Sequence, residues 1–166
     1  MNIVLIGMPG SGKSTVGQLV ARAAGRTFLE TDALVEKNEG RTIPELFSAR
    51  GEAYFRSAET AAVLEAAACD GAVVSTGGGT VLRRENMEAL QKTGVIFFLD
   101  RLPEEIAQMN HSGRPLLSGG REKVFMLYTQ RIHLYQKYGE YRVSGVKTPE
   151  DAAEQILKTI EREGIL

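Results

Sequence analysis

Short unbroken apolar runs alternate with helix-spaced apolar positions along this chain. Ile3-Val4-Leu5-Ile6 is apolar at every position and stops at the turn formers Gly7-Met8-Pro9-Gly10-Ser11-Gly12. A run of this length without polar alternation predicts a strand buried on both faces. Comparable runs occur at Ala72–Val74 and Val95–Leu99, with weaker ones at Thr27–Leu29 and Tyr141–Val143. Helical spacing predicts helices over 13–24, 31–38, 42–48, 51–68, 83–91, 102–109, 121–138 and 149–163, the last opened by Thr148-Pro149-Glu150-Asp151, a helix start signal. Strands of this kind separated by helices predict an α/β fold, a parallel sheet covered by helices on both faces.

Within 121–138, Val124, Leu127, Tyr128, Leu134 and Tyr135 form an apolar stripe, and Arg131 falls on it. A guanidinium pointing inward needs an anion; the alternative is a stem packed on the core with the charged head reaching solvent. Asn110-His111-Ser112-Gly113-Arg114-Pro115, continuing to Gly119-Gly120, is rich in turn formers yet lies between two helices. An enzyme would carry a lid there.

The 166 residues, 43% hydrophobic and 25% charged, suffice for one domain with its own core. The reading is a single unit with core 1–109 and 123–166 and a lid at about 110–122. A formal net charge of −1 provides no basic field for a nucleic-acid backbone or an anionic membrane, so neither is an expected partner. Cys69, the single cysteine, has no internal disulfide partner and no metal-ligand spacing around it, and is expected at a buried apolar position. No apolar run reaches the length of a membrane span. The expectation is a soluble, cytoplasmic monomer.

Gly7-Met8-Pro9-Gly10-Ser11-Gly12-Lys13-Ser14 fits G-x-x-x-x-G-K-[ST], with a predicted strand before it and a helix after it. Glycines let backbone N–H groups turn inward around a polyphosphate, and the helix N-terminus adds positive potential. Lys13 is then placed to reach the β- and γ-phosphates and Ser14 to ligate Mg²⁺. The backbone of Gly10, Ser11, Gly12 and Thr15 completes the candidate nucleotide site.

A GTPase would need N-K-x-D and D-x-x-G, and none of the Asn and Asp residues supplies either. Two acids compete for a role beside the phosphates. Asp100 ends the apolar run Val95–Leu99, as a Mg²⁺-holding acid does in ATPases, or is an acid where a strand leaves the core. Asp32, in Phe28-Leu29-Glu30-Thr31-Asp32, follows a predicted second strand, and ligands of open α/β sheets bind at the carboxyl ends of strands; its other reading is a helix N-cap.

Downstream come Gly51-Glu52-Ala53-Tyr54-Phe55-Arg56-Ser57-Ala58-Glu59, Ser75-Thr76-Gly77-Gly78-Gly79 and Arg114-Pro115-Leu116-Leu117. With the phosphate loop and the acidic pair Glu30/Asp32, these segments give a chain that resembles the shikimate kinases over nearly its whole length. The resemblance implies a three-layer αβα P-loop kinase fold, with a five-stranded parallel sheet of order 2-3-1-4-5 and a lid. It implies Mg²⁺-dependent transfer of the ATP γ-phosphoryl group to the 3-hydroxyl of shikimate. Asp32 matches the family residue that contacts the ring hydroxyls and is the candidate base. Arg56 and Arg131 match the arginines that hold the carboxylate, Gly78 the glycine whose backbone meets the substrate, with Gly77 and Gly79 beside it in the substrate site, and Arg114 the lid cation. Arg56 also has a plainer reading, a surface ion pair with Glu52 or Glu59.

Two positions depart from the family pattern. Glu30, assigned to the metal side, stands where an Asp is usual, and Ala107-Gln108-Met109-Asn110-His111 lacks the usual basic residue that packs on adenine. Lys147, in Lys147-Thr148-Pro149, falls in the adenine-side loop. Met8 and Met109 are read as packing residues, and His111 and His133 as exposed. Other readings are a related kinase acting on a gluconate-like acceptor, and an ATP-binding regulatory module without transfer activity.

Overall fold

The computed structural model describes residues 1–109 and 120–165. Strand β1 (Asn2–Ile6) is buried at every position. The other strands are β2 (Phe28–Glu30), β3 (Val73–Ser75), β4 (Gly94–Leu99) and β5 (Tyr141–Val143). All neighbouring pairs run parallel, in the order β2-β3-β1-β4-β5. Helices α1 (Lys13–Ala24), α2 (Thr31–Glu39), α3 (Ile43–Ala68), α4 (Arg84–Thr93), α5 (Pro103–Met109), α6 (Gly120–Tyr138) and α7 (Pro149–Glu163) connect them.

Successive side chains of a strand point to opposite faces, and this divides the core in two. Ile3, Leu5, Val73, Phe97 and Leu99 pack with Val16 and Val20 of α1 and Ile156 and Ile160 of α7. Val4, Ile6, Val74, Ile96 and Phe98 pack on the other side with α3, α4, α5 and α6, through Val63, Met87, Leu90, Ile106 and Tyr135. Each fully buried Val, Leu, Ile, Phe or Met side chain contributes about 1.5–3 kcal/mol. A third cluster, Val35, Ile43, Leu46, Phe55 and Ala62, joins α2 to α3. It makes these two helices one outlying unit.

The helices expected at 42–48 and 51–68 are both present, joined as α3 through a kink at Gly51, whose backbone is non-helical (φ 82°, ψ 176°). Glycine tolerates that angle, so the rod bends there without ending. Thr42 caps its start, accepting from the Glu45 N–H while the Glu45 carboxylate accepts from the Thr42 N–H, a reciprocal capping box. Cys69 is exposed, not buried, because α3 ends at Ala68 and the chain turns at the surface before β3. Met109 is also exposed, at the end of α5, whereas Met8 is buried as expected. His133 is exposed on α6. Arg114 and His111 lie outside the described residues.

Candidate active site

The carboxyl ends of β1, β2 and β3 converge on one edge of the sheet, and two cavities open there side by side. The first is the phosphate loop. Gly12, left-handed at φ 92°, starts α1 with no side-chain cap, which leaves the first N–H groups of the helix available to an anion. Gly10, Gly12, Lys13, Ser14 and Thr15 line this cavity with Glu30 and Asp32. The Lys13 ammonium is buried and donates to the carbonyls of Gly7 at 2.9 Å and Met8 at 2.7 Å, both on the loop that it closes. Ser11 is turned inward as well and does not line the cavity: its side chain is fully buried, and its hydroxyl faces Lys13 Nζ at 3.4 Å.

The second cavity, of about 310 Å³, collects residues distant in sequence. Asp32, Arg56, Gly77, Gly78, Gly79 and Arg131 all line it. The two cavities share a wall made by Pro9, Asp32, Gly77 and Gly78. Asp32 sits in the first turn of α2 and is not its N-cap, a position taken by Glu30. Burial, then the negative charge of Glu59, pushes the Asp32 carboxyl up to about 6, against a smaller opposing pull from Lys13. A side chain at Gly77 would stand 2.7 Å from Asp32 Oδ1 and 3.0 Å from Glu59 Oε2. Glycine there lets two carboxylates close on the backbone.

Arg56 is ion-paired and also borders the cavity. It pairs with Glu59 at 2.9 Å and with Glu52 at 3.7 Å, yet its guanidinium lies along the cavity and against Gly79, where a Cβ would collide with it. Glu59 is almost completely buried and also accepts from the Thr80 hydroxyl at 3.3 Å. Arg131 faces the cavity from α6, so the inward position on the apolar stripe is the one realised.

Asp100 is turned the other way. It is buried, accepts from Arg142 Nε at 2.8 Å, and does not line the phosphate cavity, which removes it as the metal-side acid. Lys147 is exposed and lines a third, more open cavity beyond the phosphate loop with Arg101, Gln108, Val146 and Pro149. Arg101 is buried there and donates to the Val146 carbonyl at 3.1 Å.

Sequence reasoning names none of Glu59, Lys123, Thr31 and Tyr135 as a site residue. Glu59 is visible as the acid three residues after Arg56. Lys123, also on the acceptor cavity, stands eight residues before Arg131, on the same helix face with Leu127 between them. Thr31 and Tyr135 carry no signal, because each acts through a backbone group distant in sequence.

For a metal, the side chains of the phosphate cavity offer oxygen donors: the Ser14, Thr15 and Thr76 hydroxyls and the Glu30 and Asp32 carboxylates. Among the described residues, no group of three or more His, Cys, Asp or Glu forms a cage. A hard cation that keeps most of its water and is held largely through phosphates suits that donor set, and Mg²⁺ is such a cation.

The family model for shikimate kinase matches residues 9–161. A shikimate kinase from Symbiobacterium thermophilum is 42% identical over 99% of this chain and 98% of its own. A shikimate kinase from Acinetobacter baumannii, solved in complex with shikimate, superposes with a TM-score of 0.93 at 33% identity, covering 99% of this chain and 95% of that one. A gluconokinase from Sinorhizobium meliloti reaches a TM-score of 0.64 at 25% identity, covering 98% of this chain and 92% of that one. With phosphate loop, glycine loop and paired arginines on one sheet edge, and matches of this extent, the chain belongs to the shikimate kinase family, ATP-dependent kinases that phosphorylate an alcohol group.

Proposed function

We propose that this chain transfers the γ-phosphoryl group of ATP to the 3-hydroxyl of shikimate, giving shikimate 3-phosphate and ADP. The observation that carries this reading is the shared wall. Asp32 borders both the phosphate cavity and the acceptor cavity, so a hydroxyl held by Asp32 lies beside the group that it must attack.

In this reading the N–H groups from Gly10 to Thr15 cradle the phosphates and Lys13 leaves its loop carbonyls for the β- and γ-oxygens. Ser14 and Glu30 would hold Mg²⁺, which when bound would neutralise charge that builds on the phosphates in transfer. Arg56 and Arg131 grip the acceptor carboxylate, each able to form two parallel charge-assisted bonds. The backbone of Gly77, Gly78 and Gly79 forms the floor beneath the ring, and Lys147 borders the adenine. Arg114 supplies the lid cation. Asp32, as the carboxylate, orients the attacking hydroxyl and takes its proton. A loose phosphoryl-transfer transition state asks mainly for alignment and charge neutralisation, which this arrangement provides.

ADP release from ATP and Mg²⁺ tests the reading, with shikimate, gluconate and a nucleoside monophosphate as separate acceptors. Stimulation by shikimate alone is expected. Stimulation by gluconate in its place, or ATP binding without stimulation by any acceptor, would overturn it.

A further inference from the structure

Two buried side chains hold the glycine loop from opposite sides through their hydroxyls. The Gly77 N–H donates to Thr31 Oγ1 at 3.1 Å, and the Tyr135 hydroxyl donates to the Gly78 carbonyl at 2.6 Å. Neither side chain reaches solvent, and neither lines the acceptor cavity. Each stands next to a residue that does line it. Thr31 immediately precedes Asp32 on α2, and Tyr135 lies one helical turn after Arg131 on α6.

The geometry points to Thr31 and Tyr135 as positioning residues with separate tasks, Thr31 setting Asp32 against the glycine loop for transfer and Tyr135 setting Arg131 and the Gly78–Gly79 peptide for acceptor binding. Thr31 fixes the first turn of α2 to the loop after β3, and the gap between them is the one Asp32 occupies, 2.7 Å from where a Gly77 Cβ would stand. Release of this bond lets the carboxylate drift from the hydroxyl with no change in the groups that grip the acid. Tyr135 acts on a different peptide. The Gly78–Gly79 peptide is trans, so its C=O and the following N–H point in opposite directions. With the Gly78 carbonyl held by Tyr135, the orientation of the Gly78–Gly79 peptide at the cavity wall is fixed. The Arg131 guanidinium lies close enough to the same hydroxyl to pull against its raised pKa, so the hydroxyl stands between two acceptor-binding groups. Stacking on Phe98, with ring centroids 5.3 Å apart, keeps the Tyr135 ring in place without the hydroxyl. Burial pushes the phenol up to about 12, which keeps it a donor at working pH.

This inference rests on shikimate being the acceptor, and the test separates the two. Thr31→Val, Thr31→Ser and Tyr135→Phe are compared with the unaltered protein in steady-state transfer to shikimate, in calorimetric shikimate binding and in thermal melting. Thr31→Val is expected to lower kcat about tenfold or more while shikimate affinity changes less than about threefold, and Thr31→Ser to restore most of the rate. Tyr135→Phe is expected to weaken shikimate binding about tenfold with kcat within about threefold of normal and the KM for ATP unchanged. Parallel loss of rate and affinity in both variants, failure of either to fold, or no change in either would overturn the assignment. Failure of shikimate itself would show as no stimulation of the unaltered protein.

Discussion

The phosphate loop and the acceptor cavity share a wall and are built by opposite means. Around the phosphates the working groups come from one local turn, residues 7 to 15, and most of them are backbone N–H. The buried cation there, Lys13, rests on carbonyls of the same loop. In the acceptor cavity the groups are side chains from α2, α3 and α6, with the glycine loop after β3 beneath them. There buried charge is balanced both within α3 and across the fold: Glu59 pairs with Arg56 one turn away, and burial and the Glu59 charge push the Asp32 carboxyl up. A site made of backbone tolerates neighbours of many kinds, because its geometry is fixed by covalent proximity. A site made of distant side chains depends on the packing that brings them together, and its specificity is exposed to single substitutions.

The sharpest division between the two regions is expected from Arg131→Ala. Acceptor binding should weaken by about 2–5 kcal/mol while ATP binding stays nearly unchanged, both read by calorimetric titration. Equal losses for the two ligands would dissolve the comparison. Asp32→Asn acts on the shared wall, and turnover should fall at least about 100-fold with ATP affinity intact. In the unaltered protein, kcat/KM for shikimate should rise with pH through about 6 as Asp32 ionises; a flat profile across that range would remove the carboxylate from the rate.

The same residue predicts a stability effect of definite sign. Asp32 holds its proton up to about 6 when folded, against an ordinary value of 3.8 for the unfolded chain. Stability therefore falls as pH rises between those values, by about 3 kcal/mol in total, the burial cost of the charge. Asp32→Asn should melt several degrees higher at pH 7.5, and about half of that gain should remain at pH 5. An active-site acid kept at a cost to stability is a common trade. An unchanged melting temperature at both pH values would count against its burial. The smallest effect belongs to the nucleotide side: Gln108→Arg, on the cavity with Lys147, should lower the KM for ATP about two- to fivefold by placing a cation against the adenine ring.

The same contrast explains what is legible without the structure. The strands, their parallel order and most helices follow from apolar runs and their spacing together with the family resemblance, and Asp32, Arg56 and Arg131 are found through motifs. Lys13 and the glycines of the phosphate loop are read from spacing alone. Asp100 rivals Asp32 on the sequence because a strand followed by an acid looks the same whichever way the side chain turns. Its partner, Arg142, comes from β5, a pairing that only the sheet brings about. Cys69 is expected inside from its residue type, whereas the end of α3 leaves it at the surface.

By itself the sequence determined the layered α/β arrangement, the phosphate loop and the identities of the charged residues, since each depends on local spacing and residue chemistry. Tertiary structure alone decided which acid faces the phosphates, how burial and Glu59 together push the Asp32 carboxyl up, and which hydroxyls hold the glycine loop. Those outcomes depend on distances between groups far apart along the chain, such as Thr31 to Gly77 and Tyr135 to Gly78. A hydrogen bond to a backbone atom leaves no residue-type signature at the far end, so packing has to reveal it.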